Sequence, residues 1–182
     1  MRRLRVLLAA GLLALVVNAG CDGEEEVAAR PPPVEPTRDA SGHYCGMILV
    51  DHKGPKAQIH LPDEAEPVWF SSVRDAIAYT MLPEEPRNIA AMYVNDMGAA
   101  RWDAPEPGTW IDADGAWYVI GSDRLGGMGV AEAVPFAARA AALQFTEEHG
   151  GRIVALADVP EGYIFAYADE PEGGMSMQEA QQ

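Results

Sequence analysis

Cationic side chains are scarce in this sequence of 182 residues. Lysine and arginine together number 13 against 28 aspartates and glutamates, and the formal net charge at pH 7 is −15. A nucleic-acid-binding surface needs clustered lysine and arginine to neutralise phosphates, so this balance argues against DNA or RNA as a partner. It favours cationic ligands or basic protein surfaces instead.

Enzyme motifs are also missing. The chain has no serine nucleophile motif and no glycine loop that would cradle a phosphate, and its carboxylates are dispersed. The stretch "RLGGMG" lacks the spacing of a dinucleotide-binding fingerprint. A cysteine–histidine pair, Cys45 with His52 or His149, stays open, although no oxyanion donor or third group accompanies it. We therefore expect the protein not to be an enzyme.

No apolar run reaches the roughly 20 residues that a transmembrane helix requires. The run over residues 6–17 follows three arginines and precedes small residues, the pattern of a secretory signal peptide over residues 1–20. Its end, "NAGC", predicts lipoprotein processing and acylation of Cys21, although Asn18 stands where such sites usually have leucine. Ordinary cleavage after Ala19 is the alternative. The sequence thus predicts an exported protein with a lipid anchor.

Cysteine occurs only twice, at Cys21 and Cys45. Acylation of the first leaves Cys45 without a disulfide partner in an oxidising compartment, where an unpaired thiol invites oxidation. A buried, inert cysteine is one explanation, and a functional thiol is the other.

The flanks of the chain differ from its centre. Signal removal leaves 10 basic against 28 acidic residues, a net charge of −18. Residues 21–41 are expected to form the lipidated cysteine and a disordered tether rich in proline and glutamate, and residues 168–182 a disordered acidic tail.

The centre repeats itself. "EPVWFSSVRDAIAYT" (residues 66–80) matches "EAVPFAARAAALQFT" (residues 132–146) at identical offsets, aligning Val68 with Val134 and Phe70 with Phe136, for example. Apolar spacing predicts one helix in each copy, over residues 72–81 and 137–148, with Ser71 or Ser72 as the first N-cap. Strands are predicted at residues 47–50, 57–61, 90–94, 116–121 and 152–157. The fold class is therefore α+β: two similar ββαβ units, residues 42–104 and 105–167, that share a core or pack face to face.

The first unit begins with "GHYCGM". In an extended segment, His43, Cys45 and Met47 would share one face, and Gly46 would let the backbone bend. A thiolate beside a thioether is a soft donor pair that selects Cu(I), with zinc a weaker candidate. This predicts a copper element at Cys45 and Met47.

The other soft donors differ in their sequence surroundings. Met97 in "VNDMG" and Met128 in "LGGMGV" lie in loop sequence and are candidate ligands, whereas Met81 and Met92 fit a hydrophobic core. His52 is a reserve third ligand, as are Met128 and His43, and His149 fits a structural position at a helix C-terminus.

Over residues 42–163 the chain closely resembles the NosL family of nitrous oxide reductase accessory lipoproteins. The resemblance rests on the lipoprotein-type signal and on five stretches: "HYCGM", "DHKGPKAQI", "EPVWFSSVRDAIAYT", "VNDMG" and "GGMGVAEAVPF". The resemblance implies a periplasmic Cu(I)-binding metallochaperone of denitrification that delivers copper to nitrous oxide reductase with an ABC-type membrane transporter complex. It implies metal ligands at Cys45, Met47 and Met97. In proteins that this one resembles, an aspartate just after the acylated cysteine, here Asp22, can retain a lipoprotein at the inner membrane, so the resemblance implies the inner rather than the outer membrane. The alternative function is a membrane-tethered scaffold with a structural cysteine and no metal transfer role.

Overall fold

The computed structural model describes residues 30–166. The predicted signal peptide, the acylation site Cys21 and the predicted acidic tail lie outside these residues. Within residues 30–166, no helix combines the length and apolar character needed to cross a bilayer.

The fold is a mixture of helices with two small antiparallel sheets, the first formed by strands within residues 57–112 and the second by strands within residues 117–155. The first sheet has the strand order β2-β1-β3-β4 and the second the order β6-β5-β7. The elements along the chain are β1 (Ala57–His60), β2 (Val68–Phe70), α1 (Val73–Met81), β3 (Ala91–Asn95), β4 (Trp110–Asp112), β5 (Trp117–Ile120), β6 (Val134–Phe136), α2 (Arg139–His149), β7 (Arg152–Ala155) and α3 (Glu161–Ile164). The order ββαβ therefore occurs twice, and β4 adds an edge strand to the first sheet.

Strand register follows the sequence repeat. In the first sheet Ile59 lies opposite Val68, and in the second Val119 lies opposite Val134. Each first strand is also the central strand, because β3 and β7 pair with its other edge. The residues that the repeat aligns thus occupy equivalent register positions, which supports the interpretation of an internal duplication.

The two units share a core. One hydrophobic cluster joins Phe70 and Tyr79 of the first unit to Tyr118 and Ile120 of the second. Because side chains alternate along a strand, Val119 points the other way, into a smaller cluster that α2 covers.

Both predicted helices are confirmed within two residues. The side chain of Ser72 caps α1 by accepting a hydrogen bond from the Asp75 backbone N–H at 3.4 Å. Met92 is buried in the core and Met81 packs against it, as predicted.

The prediction of a strand at residues 47–50 is wrong, because Leu49–Asp51 form a short 3-10 turn. The three-residue strands β2, β4 and β6 were not predicted. Such short segments carry too few residues for an alternating pattern to be recognised.

Residues 30–40, assigned above to a disordered tether, instead lie along the face of the first sheet opposite α1; we call them the N-terminal strap. The Gln58 side chain pairs with both backbone groups of Val34, accepting from its N–H at 2.9 Å and donating to its carbonyl at 3.0 Å. Tyr93 donates a hydrogen bond to the Pro31 carbonyl at 2.7 Å. These polar side chains supply the strap with the partners that a proline-rich segment cannot supply for itself.

Candidate metal centre

The copper element is a tight turn rather than the extended segment that was predicted. The backbone N–H of Gly42 donates to the Met47 carbonyl at 2.9 Å, and that of Gly46 donates to the Gly42 carbonyl at 2.7 Å. A bridge between Ser41 and Ile48 closes the turn. Gly46 has a φ of +64°, which favours glycine, so the bend predicted at this residue is present. The shared face of an extended strand therefore cannot be what brings the donors together.

Cys45 is a free, partly buried cysteine on this turn. Its Sγ lies 3.3 Å from the Ser71 hydroxyl and 3.9 Å from the Gly42 carbonyl oxygen. Ser71 immediately precedes the N-cap of α1, so the thiol rests at the start of this helix. A hydroxyl here can donate a hydrogen bond to an anionic sulfur, the form that binds metal.

The position of the Cys45 thiol leaves no room for a side chain at Gly42. A Cβ atom at residue 42 would lie 2.6 Å from Cys45 Sγ, closer than such atoms approach in proteins. The backbone at this glycine thus forms one wall of the thiol's environment.

Met47 is 42% exposed, two residues beyond the thiol. The turn therefore presents a thioether to solvent beside a partly buried thiol. Thiolate and thioether are the donors that monovalent copper prefers. Within residues 30–166, no three histidine, cysteine, aspartate or glutamate side chains converge in a way that could hold a metal ion.

His43 is held by its neighbours on the same turn. Its ring contacts the rings of Tyr44, Phe70 and Tyr79, and its Nε2 lies 3.6 Å from Glu85 Oε1. Glu85 also accepts a hydrogen bond from Tyr44, and burial together with this carboxylate raises the pKa of the Tyr44 phenol. As a ligand, His43 would have to leave this arrangement.

The two other reserve donors lie on segments that contact each other. His52 Nδ1 lies 3.3 Å from the Gly127 carbonyl oxygen, and Met128, the next residue, is 39% exposed. His52 Nε2 is buried without a hydrogen-bond partner within the described residues. A bridge between Leu125 and Ala131 closes the turn that carries Met128.

Met97 lies in the loop after β3, as predicted, but its surroundings belong to the second unit. Its backbone N–H donates to the Pro135 carbonyl at 2.9 Å, and its side chain packs on the cluster that contains Phe136 and Phe145. The contacts of Cys45, by contrast, are with Gly42 and Ser71. Met97 is thus placed in a separate hydrophobic cluster, and its role as a ligand remains a prediction.

The two remaining histidines have other partners. His60 lies in β1, where its Nε2 is 2.8 Å from Gln58 Oε1, and burial lowers its pKa. His149 is the last residue of α2, and its Nδ1 lies 2.9 Å from Asp123 Oδ1. The structural position predicted for His149 is confirmed.

Exposed apolar side chains lie on the loop that carries Cys45 and on the loop that carries Met128. Six large ones within residues 30–166 lie on two neighbouring loops and are called the apolar rim: Tyr44, Met47, Ile48, Val50, Leu125 and Met128. Four of the six lie within residues 44–50, and exposed apolar side chains grouped in this way on a strongly acidic protein are typical of a site where another protein docks.

The sequence indicates the functional thiol but not its two neighbours in the fold, Gly42 and Ser71. Gly42 has no side chain and Ser71 has a short polar one, so neither residue belongs to a recognisable metal-binding pattern. Only the folded turn brings them next to the sulfur. Glu132 was missed as well, although a single carboxylate in the apolar stretch "GVAEAVPF" is a signal of a buried ionisable group.

Comparison with known proteins gives consistent matches. The NosL family model matches residues 33–164. A copper-binding lipoprotein NosL of Achromobacter cycloclastes is 49% identical over 164 residues, which cover 89% of this chain and 83% of that protein. The copper-binding lipoprotein NosL of Stutzerimonas stutzeri is 34% identical over 172 residues, covering 94% and 86% respectively. The crystal structure of the copper chaperone NosL from Shewanella denitrificans is similar with a TM-score of 0.67 and 28% identity, covering 72% of this chain and 99% of that one.

Proposed function

The chain belongs to the NosL family, and from this premise we propose that it is a Cu(I)-binding metallochaperone of the periplasm that delivers copper for the copper centres of nitrous oxide reductase. It acts as a carrier rather than an enzyme. The observation that carries the proposal is the free thiol of Cys45 on an exposed turn, beside the exposed thioether of Met47.

In this proposal the Cys45 thiolate is the principal ligand and Met47 the second. A third donor comes from a loop, with Met97 the first choice and Met128 the reserve. Low coordination leaves the ion open to attack by an acceptor's ligands, so copper passes by ligand exchange without being released to water. His52 and His43 are the remaining reserves.

The surface around the thiol supports transfer to a protein. Four residues of the apolar rim lie on the loop of Cys45 itself, where they can dock on a partner during exchange. The acidic charge of the rest of the chain steers association toward basic surfaces, an effect that weakens as ionic strength rises. The proposed partners are nitrous oxide reductase and the ABC-type transporter complex, and acylated Cys21 anchors the carrier to the inner membrane beside that transporter.

A Cu(I) competition titration against a strong chelator tests the proposal. Replacement of Cys21 by serine leaves Cys45 as the single thiol, and in this background Cys45→Ser and Met47→Ala are compared with the control Ile48→Ala, an exposed apolar neighbour. We expect about one ion per chain, lost with Cys45→Ser and weakened with Met47→Ala, while Ile48→Ala binds like the parent.

Two results would contradict the carrier. Binding that survives Cys45→Ser excludes the thiolate as principal ligand. The absence of competitive binding leaves a tethered scaffold, whose Cys45 thiol would react at the same rate with and without Cu(I).

A further inference from the structure

Glu132 belongs to the second unit but caps the helix of the first. It lies two residues before β6 and is only 1% exposed. Its Oε1 accepts hydrogen bonds from the Ser72 hydroxyl at 3.2 Å, the Arg74 backbone N–H at 2.9 Å and its neighbour's N–H at 2.9 Å. Two of these donors are at the amino end of α1, where backbone N–H groups lack partners within the helix. The carboxylate therefore fixes the start of α1 from across the shared core.

The other oxygen of this carboxylate has little room. Oε2 is buried without a hydrogen-bond partner within the described residues, and a Cβ atom at Gly126 would lie 2.5 Å from it. Burial raises the pKa of Glu132 to about 7, against the hydrogen bonds that lower it. The nearby charge of Asp75 on α1 also raises the pKa of Glu132. Glu132 in turn raises the pKa of Lys56, which burial lowers.

The same end of α1 holds the thiol. Ser71, whose hydroxyl lies 3.3 Å from Cys45 Sγ, is adjacent in sequence to Ser72, whose hydroxyl bonds Glu132. Both serines are buried, at 1% and 0% exposure, so neither can move without displacing its surroundings. A short buried connection thus runs from the carboxylate of the second unit to the sulfur of the first.

We propose that Glu132 is a positioning residue for the copper element, which holds the amino end of α1 so that the Ser71 hydroxyl stays against Cys45 Sγ. The expected effect on copper binding rests on the proposed function. The inference also gives the second unit, which has no cysteine, a role in the copper site. That unit supplies the carboxylate that positions the thiol of the first.

The test uses the metal-free reduced protein with Cys21 replaced by serine. The variants are Glu132→Gln, Glu132→Ala, Ser71→Ala and the double variant Glu132→Ala with Ser71→Ala. Val119→Ala is the matched control, because it opens the fully buried cluster of the second unit under α2. The rate of Cys45 alkylation is measured from pH 6 to 9, and Cu(I) affinity is measured by competition.

We expect Glu132→Ala and Ser71→Ala each to change the alkylation rate and to weaken Cu(I) binding by about fivefold, the equilibrium factor for one hydrogen bond. The double variant should change little beyond either single variant, because both act through the same contact. Glu132→Gln keeps an acceptor oxygen, so its affinity should stay near that of the parent. It should also remove any step near pH 7 in the alkylation profile, because its amide does not titrate. Val119→Ala should leave the alkylation rate unchanged; its Cu(I) affinity does not serve as a control, because Met97 packs on the same cluster.

Additive effects in the double variant, or an alkylation rate that changes as much in Val119→Ala as in Glu132→Ala, would overturn the proposal. An alkylation rate unchanged in Glu132→Ala would do the same. The alkylation arm requires no copper, so it decides the coupling even if the protein proves not to bind Cu(I). A failure of the proposed function and a failure of this inference therefore give different results.

Discussion

The Sγ atom of Cys45 and the hydroxyl of Ser71 lie 3.3 Å apart, at the junction between the copper element and the first helix. A reactive thiol of a carrier has to be accessible to an incoming ligand yet held in one place. Partial burial beside Ser71 and exposure of Met47 meet these two requirements on a single turn.

Copper affinity should depend on pH. Cysteine binds copper as a thiolate, so protons compete with the metal and the affinity should fall as the pH is lowered from 8 to 6. The measurement is the competition titration repeated at several pH values with a chelator of known protonation behaviour. An affinity that stays constant over this range would exclude thiolate ligation.

Stability should fall as the pH rises, because of Glu132. Its pKa is raised from 4.5 to about 7 in the folded protein, so between these values the unfolded chain binds fewer protons than the folded one. The free energy of unfolding should therefore decrease from about pH 4.5 to about pH 7 and then level off, by at most about 3 kcal/mol. Urea unfolding of the wild type and of Glu132→Gln measures this.

The glutamine variant should lose that slope. Lys56 does not obscure the comparison: burial lowers its pKa only to about 8, so its side chain stays charged throughout the range from pH 4.5 to 7. If the two proteins showed the same pH dependence between pH 4.5 and 7, the carboxylate would not be the group that titrates.

Gly42→Ala should disturb the thiol. Its Cβ would meet Cys45 Sγ at 2.6 Å, so the sulfur has to move and its contact with Ser71 is lost. We expect a changed alkylation rate and weaker Cu(I) binding. The control is Gly108→Ala, which has a φ of +81° and open space around it. That variant should cost about 1–2 kcal/mol of stability, because an alanine is strained in the left-handed region, without altering Cys45 reactivity. Equal reactivity in both variants would contradict the close contact.

Gln58→Leu should release the N-terminal strap. The change removes both hydrogen bonds to Val34 and leaves its backbone groups without those partners. An unsatisfied buried polar group costs about 1–3 kcal/mol. Hydrogen exchange at the Val34 amide and limited proteolysis within residues 30–40 should both become faster. Val34→Ala, which keeps the backbone hydrogen bonds, is the control and should exchange like the wild type.

The apolar rim should matter for transfer and not for binding. Ile48→Asp and Leu125→Asp place charges where a partner is proposed to dock, so copper transfer to metal-free nitrous oxide reductase should slow while Cu(I) affinity stays the same. Leu143→Asp, on the exposed side of α2, provides a control of similar exposure. Equal transfer rates for all three variants would exclude the rim as the docking surface.

The repeat was readable in sequence because it rests on spaced apolar residues, and the register of Val68 and Val134 in their sheets agrees with it. The turn at Cys45 was not readable. It depends on the hydrogen bond between Gly42 and Met47, which closes a loop too short for periodicity to describe. The donor types could thus be predicted, but not the geometry that presents them.

Tertiary contacts also explain why the docking of the strap and the surroundings of Met97 could not be predicted from the sequence. The strap has the composition of a disordered segment, yet Gln58, a polar residue in a strand, supplies its missing partners. Met97 lies in loop sequence, yet the cluster around Phe136 accepts its side chain. In both cases the deciding partner is distant in sequence, where local patterns carry no information.

The docked strap also limits the distance between Cys21 and the folded part of the chain. The described part of the chain begins at Arg30, and residues 22–29 lie between it and Cys21. A chain of that length reaches at most about 30 Å when fully extended. With an acyl chain on Cys21, the carrier would search a thin layer beside the bilayer rather than the whole compartment. Confinement of this kind raises the local concentration seen by a membrane-bound partner, so encounters would be frequent even if each one is weak.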